Sequence, residues 1–538
     1  TLVGEAGIGK SRLVAELRDG IDATHPRWVE SLCLSYGGSI AYLWWLDVLR
    51  GVLGVGVEDA PRTVRETLRD AVRSLCPDRF DDVYPFLGRM LSLPLEENVA
   101  AALDDLEGEQ LKKDTFEAVE TLLTCAAEDR PLVLVCEDLH WADPTSLELL
   151  ENLLPLVDHI PLLFLCVFRP ERDHGCWRTR ETASREHSHC HTDLSLHALS
   201  TAESETLVGN LLRLEHLPQP LQDRILSHAE GNPFYLEEVL RSLIDGGAIA
   251  QDETTGLWHA TRDVADIAIP DTLQGVLMAR IDRLQDETKR VLQMASVIGR
   301  IFLHRVLAAI TREERGIEMK LLTLQQEEMI RERSQLPELE YIFKHHLTQE
   351  AAYNGLLKAE RRATHQQVGE ALERLFPERI EELVGLLAHH WERAGDREKA
   401  VAYLLRAGDK ARVAYTHEEA TGYYQRALAL LGGKDDTERP ARILMKLGLT
   451  YHTAFKFRQA RRAYEQGFAL WQRASDPQPK PGTQLPKAPH AVRLPHAEFS
   501  TLDPALSDSA WGFMIIRELF STLGELTREL DILPDIAH

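Results

Sequence analysis

The sequence lacks the features of a membrane protein and of a disulfide-rich secreted protein. Its longest apolar run, Ile160–Phe168, is far shorter than the ~20 residues that a membrane-spanning helix needs. Only seven cysteines are present, an odd number, and they form no CxxC pair and no framework spacing. Cys136 and Cys166 lie inside apolar runs, where a thiol packs as a small hydrophobe. We therefore predict a cytoplasmic protein with reduced thiols and without a membrane span.

Basic residues are also fewer than acidic residues. Lys and Arg number 61 against 85 Asp and Glu, so the formal net charge is −24. Such a surface repels phosphate backbones, and direct nucleic-acid binding is not expected. The apolar content is ordinary, since 44% of residues are hydrophobic and 27% are charged. This composition excludes a disordered or fibrous chain, and the length of 538 residues predicts about three or four domains.

The amino-terminal residues match a phosphate-binding pattern. An apolar run at residues 1–3 leads into Gly-Glu-Ala-Gly-Ile-Gly-Lys-Ser at residues 4–11, and a helical pattern follows. The glycines let main-chain N–H groups wrap around phosphate oxygens, and the helix directs its positive end at the same anion. We expect Lys10 to neutralise the β- and γ-phosphates and the Ser11 hydroxyl to ligate Mg²⁺. The alternative is a glycine-rich turn before a helix, but the complete pattern favours a nucleoside triphosphate site.

A second apolar run, Pro131–Cys136, predicts a strand buried on both faces of a parallel sheet. It ends in Glu137 and Asp138, at the edge where ligands of open α/β sheets bind. We expect Glu137 to hold Mg²⁺ and Asp138 to act as the base for the attacking water, and the reverse order stays open. The alternative is a solvated acidic cap on the strand.

A third run, Pro161–Phe168, predicts the next buried strand and ends at Arg169. We expect Arg169 either to contact the γ-phosphate and report hydrolysis or to form a surface ion pair, and both interpretations stay open. The predicted catalytic residues are Lys10, Glu137, Asp138 and Arg169.

Several histidines are expected to have structural rather than chemical roles. His187–His191 reads His-Ser-His-Cys-His, with His174 and Cys176 nearby. A zinc site normally uses paired spacings on convergent elements, so a loop after a strand is the simpler interpretation. The pairs His345–His346 and His389–His390 fall in helical patterns and are expected to pack or to lie on the surface.

Four segments together resemble one family: Glu137–Ser146, Gly231–Glu238, Ile269–Leu284 and Tyr341–Tyr353. They are similar to the ATPase module of the STAND class of AAA-related P-loop NTPases, found in large bacterial signalling proteins. There the module often follows a class III adenylate or guanylate cyclase domain and precedes tetratricopeptide repeats. The resemblance covers about residues 1 to 475. It implies ATP and Mg²⁺ as ligands and a slow hydrolysis that switches the protein between closed and open arrangements.

The resemblance assigns roles only where residues match. Lys10 and Ser11 match the Walker A positions, and Glu137 with Asp138 match the Walker B pair. Gly231–Pro233 resembles the G-x-P element that packs against adenine, although Gly-Asn-Pro also ends a helix unaided. The expected nucleotide-binding residues are Gly4, Gly7, Ile8, Gly9, Lys10, Ser11, Arg12 and Pro233, and the expected metal ligands are Ser11 and Glu137. His140, Trp141 and Asp143 fit the family pattern but are expected to pack, and no arginine finger can be assigned.

Residues 286–375 resemble the winged-helix subdomain of this NTPase class. A DNA reader is the alternative, but the basic residues near Lys358, Arg361 and Arg362 are interrupted by Glu360. We therefore predict that this segment is a conformational relay.

An internal repeat follows. Gly408, Ala420, Tyr424 and Ala427 recur 40 residues later as Gly448, Ala460, Tyr464 and Gly467. The small and aromatic positions are typical of tetratricopeptide repeats, and an inserted loop at residues 432–437 accounts for a period above the usual ~34 residues. Small residues let two helices approach closely. The concave surface of such an array is expected to bind a protein or peptide partner.

The carboxyl-terminal segment differs in composition. Residues 476–495 are rich in Pro, Lys and Gln and predict an extended linker. Residues 496–538 resemble the first residues of family 5 extracellular solute-binding proteins, and the alternative is an unrelated amphipathic helix. Because the chain starts at Thr1 within a strand pattern, we expect it to be a fragment of a longer protein.

The predicted architecture is an α/β P-loop NTPase core with a parallel sheet, followed by an all-α lid, a winged-helix-like segment and helical repeats. The predicted bounds are 1–200 for the core, 201–285 for the lid, 286–375 for the winged-helix-like segment, 376–475 for the repeats, 476–495 for the linker and 496–538 for the truncated start of a solute-binding domain.

The predicted function is an ATP-binding, slowly hydrolysing signalling switch that controls an output domain, expected to be a nucleotide cyclase. We also expect nucleotide-dependent self-association. The alternatives are a nucleotide-locked scaffold without turnover and the ATPase module of a transcriptional regulator.

Overall fold

The structure is a computed structural model. It describes residues 1–475 except 22–25, 57–59, 107, 213–218, 252–257, 262–268, 271, 312–315, 335–338 and 432–436, and it also describes the backbone of two later strands. The linker predicted at 476–495 lies outside the described residues, as does most of 496–538. The chain divides into two compact units, residues 1–419 and 420–538.

A five-stranded parallel sheet organises the amino-terminal part of the first unit. Its strands are β1 (Leu2–Val3), β2 (Arg27–Leu32), β3 (Leu132–Glu137), β4 (Leu162–Phe168) and β5 (Leu194–Ser195). The strand order is β2-β3-β4-β1-β5, and neighbouring strands pair in parallel. The strands predicted at 1–3, 131–136 and 161–168 are thereby confirmed as β1, β3 and β4, but β4 is only partly buried, since Leu163 is 48% exposed. Residues 132–136 are all buried, as their continuous apolar character predicts.

Eight helices accompany this sheet in the described part of residues 1–200. They are α1 (Lys10–Gly20), α2 (Leu43–Leu53), α3 (Pro61–Leu75), α4 (Phe80–Met90), α5 (Glu97–Asp104), α6 (Gly108–Asp129), α7 (Pro144–Leu153) and α8 (Cys176–Glu186). Trp45 is completely buried in their core, and its indole N–H donates to the carbonyl oxygen of Ser146 at 3.0 Å. That bond ties α2 to α7, the helix that follows the predicted acidic strand end.

A mostly helical segment comes next, and the prediction of an all-α lid is wrong in one respect, because this segment also contains an antiparallel pair of strands. It contains α9 (Thr201–Leu212), α10 (Gln219–Ala229), α11 (Pro233–Asp245), the antiparallel pair β6 (Ile249–Gln251) and β7 (Trp258–Ala260), and α12 (Leu273–Arg283). Leu236 and Val276 lie in its apolar core. Arg280 and Glu238 form a buried ion pair between α12 and α11, which fixes the two helices to each other.

The following segment combines helices with a small antiparallel sheet, as a winged-helix-like fold requires. Its elements are α13 (Asp286–Ile298), β8 (Ile301–Leu303), α14 (His304–Thr311), α15 (Ile317–Gln326), β9 (Ile330–Ser334), β10 (Glu340–Phe343), α16 (His346–Asn354) and α17 (Lys358–Leu375). The sheet order is β8-β10-β9, and both pairings are antiparallel. Phe302 and Phe343 are buried between the sheet and the helices.

The remaining described helices are α18 (Ile380–Ala394), α19 (Arg397–Val413), α20 (His417–Leu430), α21 (Glu438–Thr453) and α22 (Phe457–Ser475), and the boundary between the two units falls within α20. In the second unit, a Cβ on Gly448 would lie 2.6 Å from the Tyr464 ring. The predicted close approach of helices at a small residue is therefore present between α21 and α22. Assignment to tetratricopeptide repeats stays a prediction.

Two further strands, β11 (Glu525–Leu526) and β12 (Ile532–Leu533), pair in antiparallel fashion. Across the described ranges, none of the helices has both the length and the apolar composition needed to cross a bilayer.

Candidate functional site

The loop between β1 and α1 has the backbone geometry of a phosphate cradle. Gly7 has φ +78° and Gly9 has φ +104°, a region that residues with a Cβ rarely adopt. Gly9 directly precedes α1, which begins at Lys10. Because the first-turn N–H groups of a helix lack partners within the helix, they are available to an anion in this loop.

Lys10 projects into the same loop. Its ammonium donates hydrogen bonds to the carbonyl oxygens of Gly4 at 2.7 Å and Glu5 at 2.8 Å, and the residue is only 8% exposed. Burial lowers the pKa of Lys10, while the negative charge of Asp138 acts in the opposite direction. The lysine of the loop and an acid that follows β3 thus lie within electrostatic range of each other.

The two predicted metal ligands lie near each other. Ser11 is in the first turn of α1 and Glu137 ends β3, and the Ser11 hydroxyl is close enough to influence the pKa of that carboxyl group. Burial raises the pKa of Glu137, and the charge of Arg300 and the nearby Ser11 hydroxyl oppose that rise. Asp138 follows with φ +54°, a left-handed backbone that turns the chain sharply after the strand. The structure therefore brings the predicted phosphate loop and both predicted acids together.

Arg169 lies at the end of β4, the strand between β1 and β3. Its guanidinium carbon is 5.4 Å from the centroid of the Trp141 ring, a cation–π distance. Its positive charge contributes to the lowered pKa of Lys10, so it belongs to the same strand edge. Arg12 is placed differently, because its exposed side chain pairs with Glu16 along α1. Arg12 can therefore contribute to the phosphate site only through its backbone, which lies in the first turn of α1.

Nothing in the local sequence pattern indicates a role for Arg300, yet its side chain reaches the site. Arg300 immediately precedes β8 in the winged-helix-like segment and forms an ion pair with Asp138. The side chains are 12% and 17% exposed, so the pair is mostly shielded from water. A residue 162 positions away along the chain therefore engages one of the two strand-end acids.

The Gly231–Pro233 motif contacts the phosphate loop directly. The Asn232 side-chain oxygen accepts from the N–H groups of Phe234 and Tyr235 at 3.1 and 3.2 Å, which caps α11. Its amide nitrogen donates to the carbonyl oxygen of Ala6 at 3.0 Å. Pro233 occupies the first turn of α11. This motif thus joins the lid to the loop through Asn232.

A cavity of about 650 Å³ opens beside the loop. Of the eight expected nucleotide-binding residues only Gly4 and Ile8 line it, together with Leu196, Asn232 and Tyr235. Tyr235 is held in place by a hydrogen bond from its hydroxyl to the carbonyl oxygen of Pro270. Pro233, the residue expected to pack against adenine, is not among the residues that line this cavity, whereas its neighbour Asn232 is.

The histidines near the site pack rather than titrate near neutral pH. Trp141 lies between two imidazoles, with ring centroids 4.5 Å from both His140 and His346. His345 packs on Phe234 of α11 at 4.0 Å. Burial lowers the pKa of His140 to about 3 and that of His345 to about 3. These rings therefore join the core, the lid and the winged-helix-like segment as neutral contacts.

Asp143 is completely enclosed at the start of α7. Its carboxylate accepts from the backbone and hydroxyl of Ser146 at 2.9 and 2.6 Å and from the N–H of Tyr42 at 3.2 Å. Glu419 of α20 accepts from the N–H of Thr145 at 3.1 Å and also contacts Asp143. Burial, with a smaller contribution from Glu419, raises the pKa of Asp143 to about 8. The carboxyl groups of Asp143 and Glu419 therefore both accept hydrogen bonds from the first turn of α7.

The assembled groups fit a magnesium-bound triphosphate. The glycine cradle and the Lys10 ammonium supply donors for phosphate oxygens, and the Ser11 hydroxyl with the Glu137 and Asp138 carboxylates supplies the oxygen ligands that Mg²⁺ prefers. The nearby cavity has the size of a small-molecule site.

Comparison with protein families agrees with this geometry. Residues 1–167 match the AAA ATPase domain family, and residues 200–255 match a domain of unknown function, DUF8739. The first match contains the phosphate loop and both acids. It supports a P-loop ATPase domain in this part of the chain.

Two curated proteins are similar over part of their length. An uncharacterized protein of Rhizobium meliloti (strain 1021) is 24% identical over 458 residues, which is 83% of this chain and 42% of that protein. The peroxide stress-activated histidine kinase mak3 of Schizosaccharomyces pombe is 24% identical over 213 residues, which is 39% of this chain and 9% of that protein. The chain spans less than half the length of either relative.

Two solved structures are also similar. One is a signal transduction ATPase with numerous domains (STAND) and a tetratricopeptide repeat sensor from Pyrococcus horikoshii, with 12% identity, 88% of this chain and 74% of that chain covered, and a TM-score of 0.36. The other is BtubC from P. vanneervenii, with 14% identity, 55% and 97% coverage, and a TM-score of 0.18.

Proposed function

We propose that this chain is an ATP-dependent switch that binds ATP with Mg²⁺ and hydrolyses it slowly. The observation that carries the proposal is the strand order, which places the phosphate loop after β1 and the Glu137–Asp138 pair at the end of β3. Because β1, β4 and β3 are parallel neighbours, the loop and the two acids lie at the same edge of the sheet, where a metal-bound phosphate would need them. The ATPase family match over residues 1–167 supports the same site.

Each group has a defined task in this proposal. The glycine cradle and Lys10 hold the phosphate chain and compensate its charge. Mg²⁺, held by Ser11 and Glu137, would supply Lewis-acid polarisation of the phosphate oxygens. Asp138 accepts a proton from the attacking water. Arg169, fixed at the intervening strand end by Trp141, adds positive charge where negative charge develops.

The lid and the cavity provide the nucleoside side of the site. Ile8, Leu196 and Tyr235 offer an apolar lining on which an adenine ring can stack. Asn232 binds the loop and caps α11 with one amide group, so a change in the loop is passed directly to the lid. The Gly231–Pro233 motif would thus couple nucleotide binding to domain arrangement.

Arg300 supplies the restraint that makes hydrolysis slow. Its guanidinium forms an ion pair with a carboxylate oxygen of Asp138, the residue proposed to accept a proton from the attacking water. Turnover then requires that this ion pair open, which moves β8 and the winged-helix-like segment relative to β3. The same contact therefore limits the rate and reports the state of the site to the rest of the protein.

The output domain would lie outside this chain. The family resemblance favours a nucleotide cyclase domain, whereas the similar yeast protein is named a histidine kinase and contains the matching region within a much longer chain. The helical repeats from residue 376 onward would bind the protein or peptide partner that sets the state of the switch.

Phosphate release by the purified chain tests the proposal. We expect a slow Mg²⁺-dependent release by the wild type, and a loss of roughly a hundredfold or more for Asp138→Asn, since a general base contributes about 10²–10⁴-fold. Lys113→Ala, which changes an exposed lysine of α6, should release phosphate like the wild type. Equal release by the wild type and Asp138→Asn would refute a catalytic role for the acid.

A nucleotide-locked scaffold without turnover is the second candidate. The Arg300–Asp138 ion pair favours it, because the guanidinium engages the acid that would otherwise face the attacking water. It predicts tight ATP binding and no phosphate release by the wild type as long as the ion pair is intact.

A further inference from the structure

Three polar side chains of the loop after α8 converge on the carboxylate of Asp158. His187 Nδ1 lies 3.0 Å from Oδ2 of Asp158, and His189 Nε2 lies 2.8 Å from Oδ1 of the same residue. The Cys190 sulfur lies 3.6 Å from that Oδ1. Asp158 precedes β4, and the three others follow α8, so two separate segments converge.

The spacing of these atoms is close to that of a metal site. Ligand atoms of Asp158, His189 and Cys190 lie within 4.8 Å of one another. Ligand atoms around a tetrahedral Zn²⁺ are about 3.3–3.8 Å apart, because Zn–N is ~2.0–2.1 Å and Zn–S is ~2.3 Å. The three ligand atoms of this cluster are therefore close to the separation that a tetrahedral site with three protein ligands and one water requires.

The chemistry of the set selects the ion. Imidazole and thiolate are ligands of Zn²⁺ and other borderline transition metals, whereas Mg²⁺ and Ca²⁺ prefer oxygen alone. One carboxylate and one thiolate carry two negative charges, which balance a divalent cation, and the imidazole of His189 binds in its neutral form. The side chain of His189 is 66% exposed and that of Asp158 is 27% exposed, so an ion can enter from solvent.

We propose that Asp158, His189 and Cys190 bind one Zn²⁺ ion, with water as the fourth ligand and with His187 holding the other oxygen of the Asp158 carboxylate. The site involves none of the residues assigned to the nucleotide. Asp158 leads into β4, and Cys190 leads into β5, and these are the two strands that flank β1 in the sheet. The ion therefore clamps the chain segments on either side of the strand that carries the phosphate loop, and it stabilises the core.

Metal titration of the full chain tests the site. Untagged protein, stripped of metal, is titrated with Zn²⁺ against a chromophoric chelator. We expect one equivalent to bind tightly and the melting temperature to rise with Zn²⁺, because the ion binds the folded form. With Co²⁺ as a probe, we expect visible absorption of a tetrahedral site with thiolate ligation. Absence of uptake by the wild type would overturn the proposal.

Matched variants separate this site from the other histidines of the chain. His189→Ala with Cys190→Ser should abolish the tight equivalent, and Cys190→Ser alone should remove the thiolate band. His159→Ala, at an exposed histidine next to Asp158, should keep one equivalent. Uptake that is unchanged in the double variant, or several weak equivalents in all proteins, would show that the cluster is held by hydrogen bonds only.

Discussion

The side chains that bear on nucleotide chemistry come from four short stretches far apart in the chain. Lys10 and Ser11 belong to the start of α1, Glu137 and Asp138 lie at the end of β3, Arg169 follows β4, and Arg300 precedes β8. The first two stretches follow from the sequence, because each chemical task restricts residue type and spacing. Arg300 does not, since one arginine among many shows no local pattern, and only the fold brings it to Asp138.

Replacement of Arg300 tests its assignment as a restraint. Arg300→Gln should raise kcat for ATP hydrolysis about five- to tenfold with little change in KM, because loss of an ion pair worth ~1 kcal/mol frees Asp138. Arg300→Lys keeps the charge and should stay near the wild-type rate. Steady-state phosphate release measures all three proteins, with Arg331→Gln on the exposed part of β9 as control.

A fall in kcat for Arg300→Gln would contradict the restraint. It would assign Arg300 instead to stabilisation of charge during the reaction.

The buried carboxyl pair of Asp143 and Glu419 predicts a pH dependence of stability. The pKa of Asp143 is raised to about 8 in the folded protein, against ~3.9 in an unfolded chain. The folded state therefore binds more protons, and the stability from this pair is complete below about pH 4 and is lost as the pH rises toward about 8. Glu419→Gln removes one carboxyl group and keeps an acceptor for Thr145. The variant should lose less stability across this range than the wild type.

Melting temperatures at about pH 5 and about pH 8 measure the effect. Glu418→Gln, the exposed neighbour in α20, should follow the wild type. An equal decrease for the wild type and Glu419→Gln would show that the two carboxyl groups do not share a proton.

At the scale of the element, the strands that the sequence predicts are continuous apolar runs. β3 is buried on both faces, as such a run predicts, whereas β4 is continuously buried only from Cys166 to Phe168 and exposes Leu163. β2 reads Arg-Trp-Val-Glu-Ser-Leu and lies at the edge of the sheet, and β5 has only two residues. Neither carries a periodic signal, since pairing with a neighbour rather than side-chain pattern defines them.

The close packing of α21 against α22 in the second unit depends on small residues where the two helices meet. Gly448→Ala places a Cβ 2.6 Å from the Tyr464 ring, and such overpacking costs about 1–3 kcal/mol. Gly422→Ala in α20 meets nothing within 4 Å and should instead stabilise by about 0.5–1 kcal/mol, since alanine is the better helix former. Chemical unfolding followed by circular dichroism compares both variants with the wild type. Equal effects of the two substitutions would refute the close approach of α21 and α22.

At the scale of the whole molecule, the phosphate loop and the apolar runs predict the α/β core, and the 40-residue repeat predicts the late helices, whereas the lid and the winged-helix-like segment rest on the family resemblance alone. The exact bounds remain predictions, and the compact units divide within α20 at residue 419. The contacts among segments could not be predicted. Asn232 contacts Ala6, and Asp158 contacts the loop at 187–191. The partners are far apart in the sequence, and no local pattern predicts these contacts.

The central claim is that the phosphate loop and the acids at the end of β3 bind ATP with Mg²⁺ as one site. Equilibrium titration of the purified chain with ATP, with and without Mg²⁺, tests it most directly. The account predicts one saturable site that weakens strongly when Mg²⁺ is withheld and is lost in Lys10→Ala, whereas Lys113→Ala binds like the wild type. Binding of equal strength by Lys10→Ala, or no binding by the wild type in the presence of Mg²⁺, would contradict it.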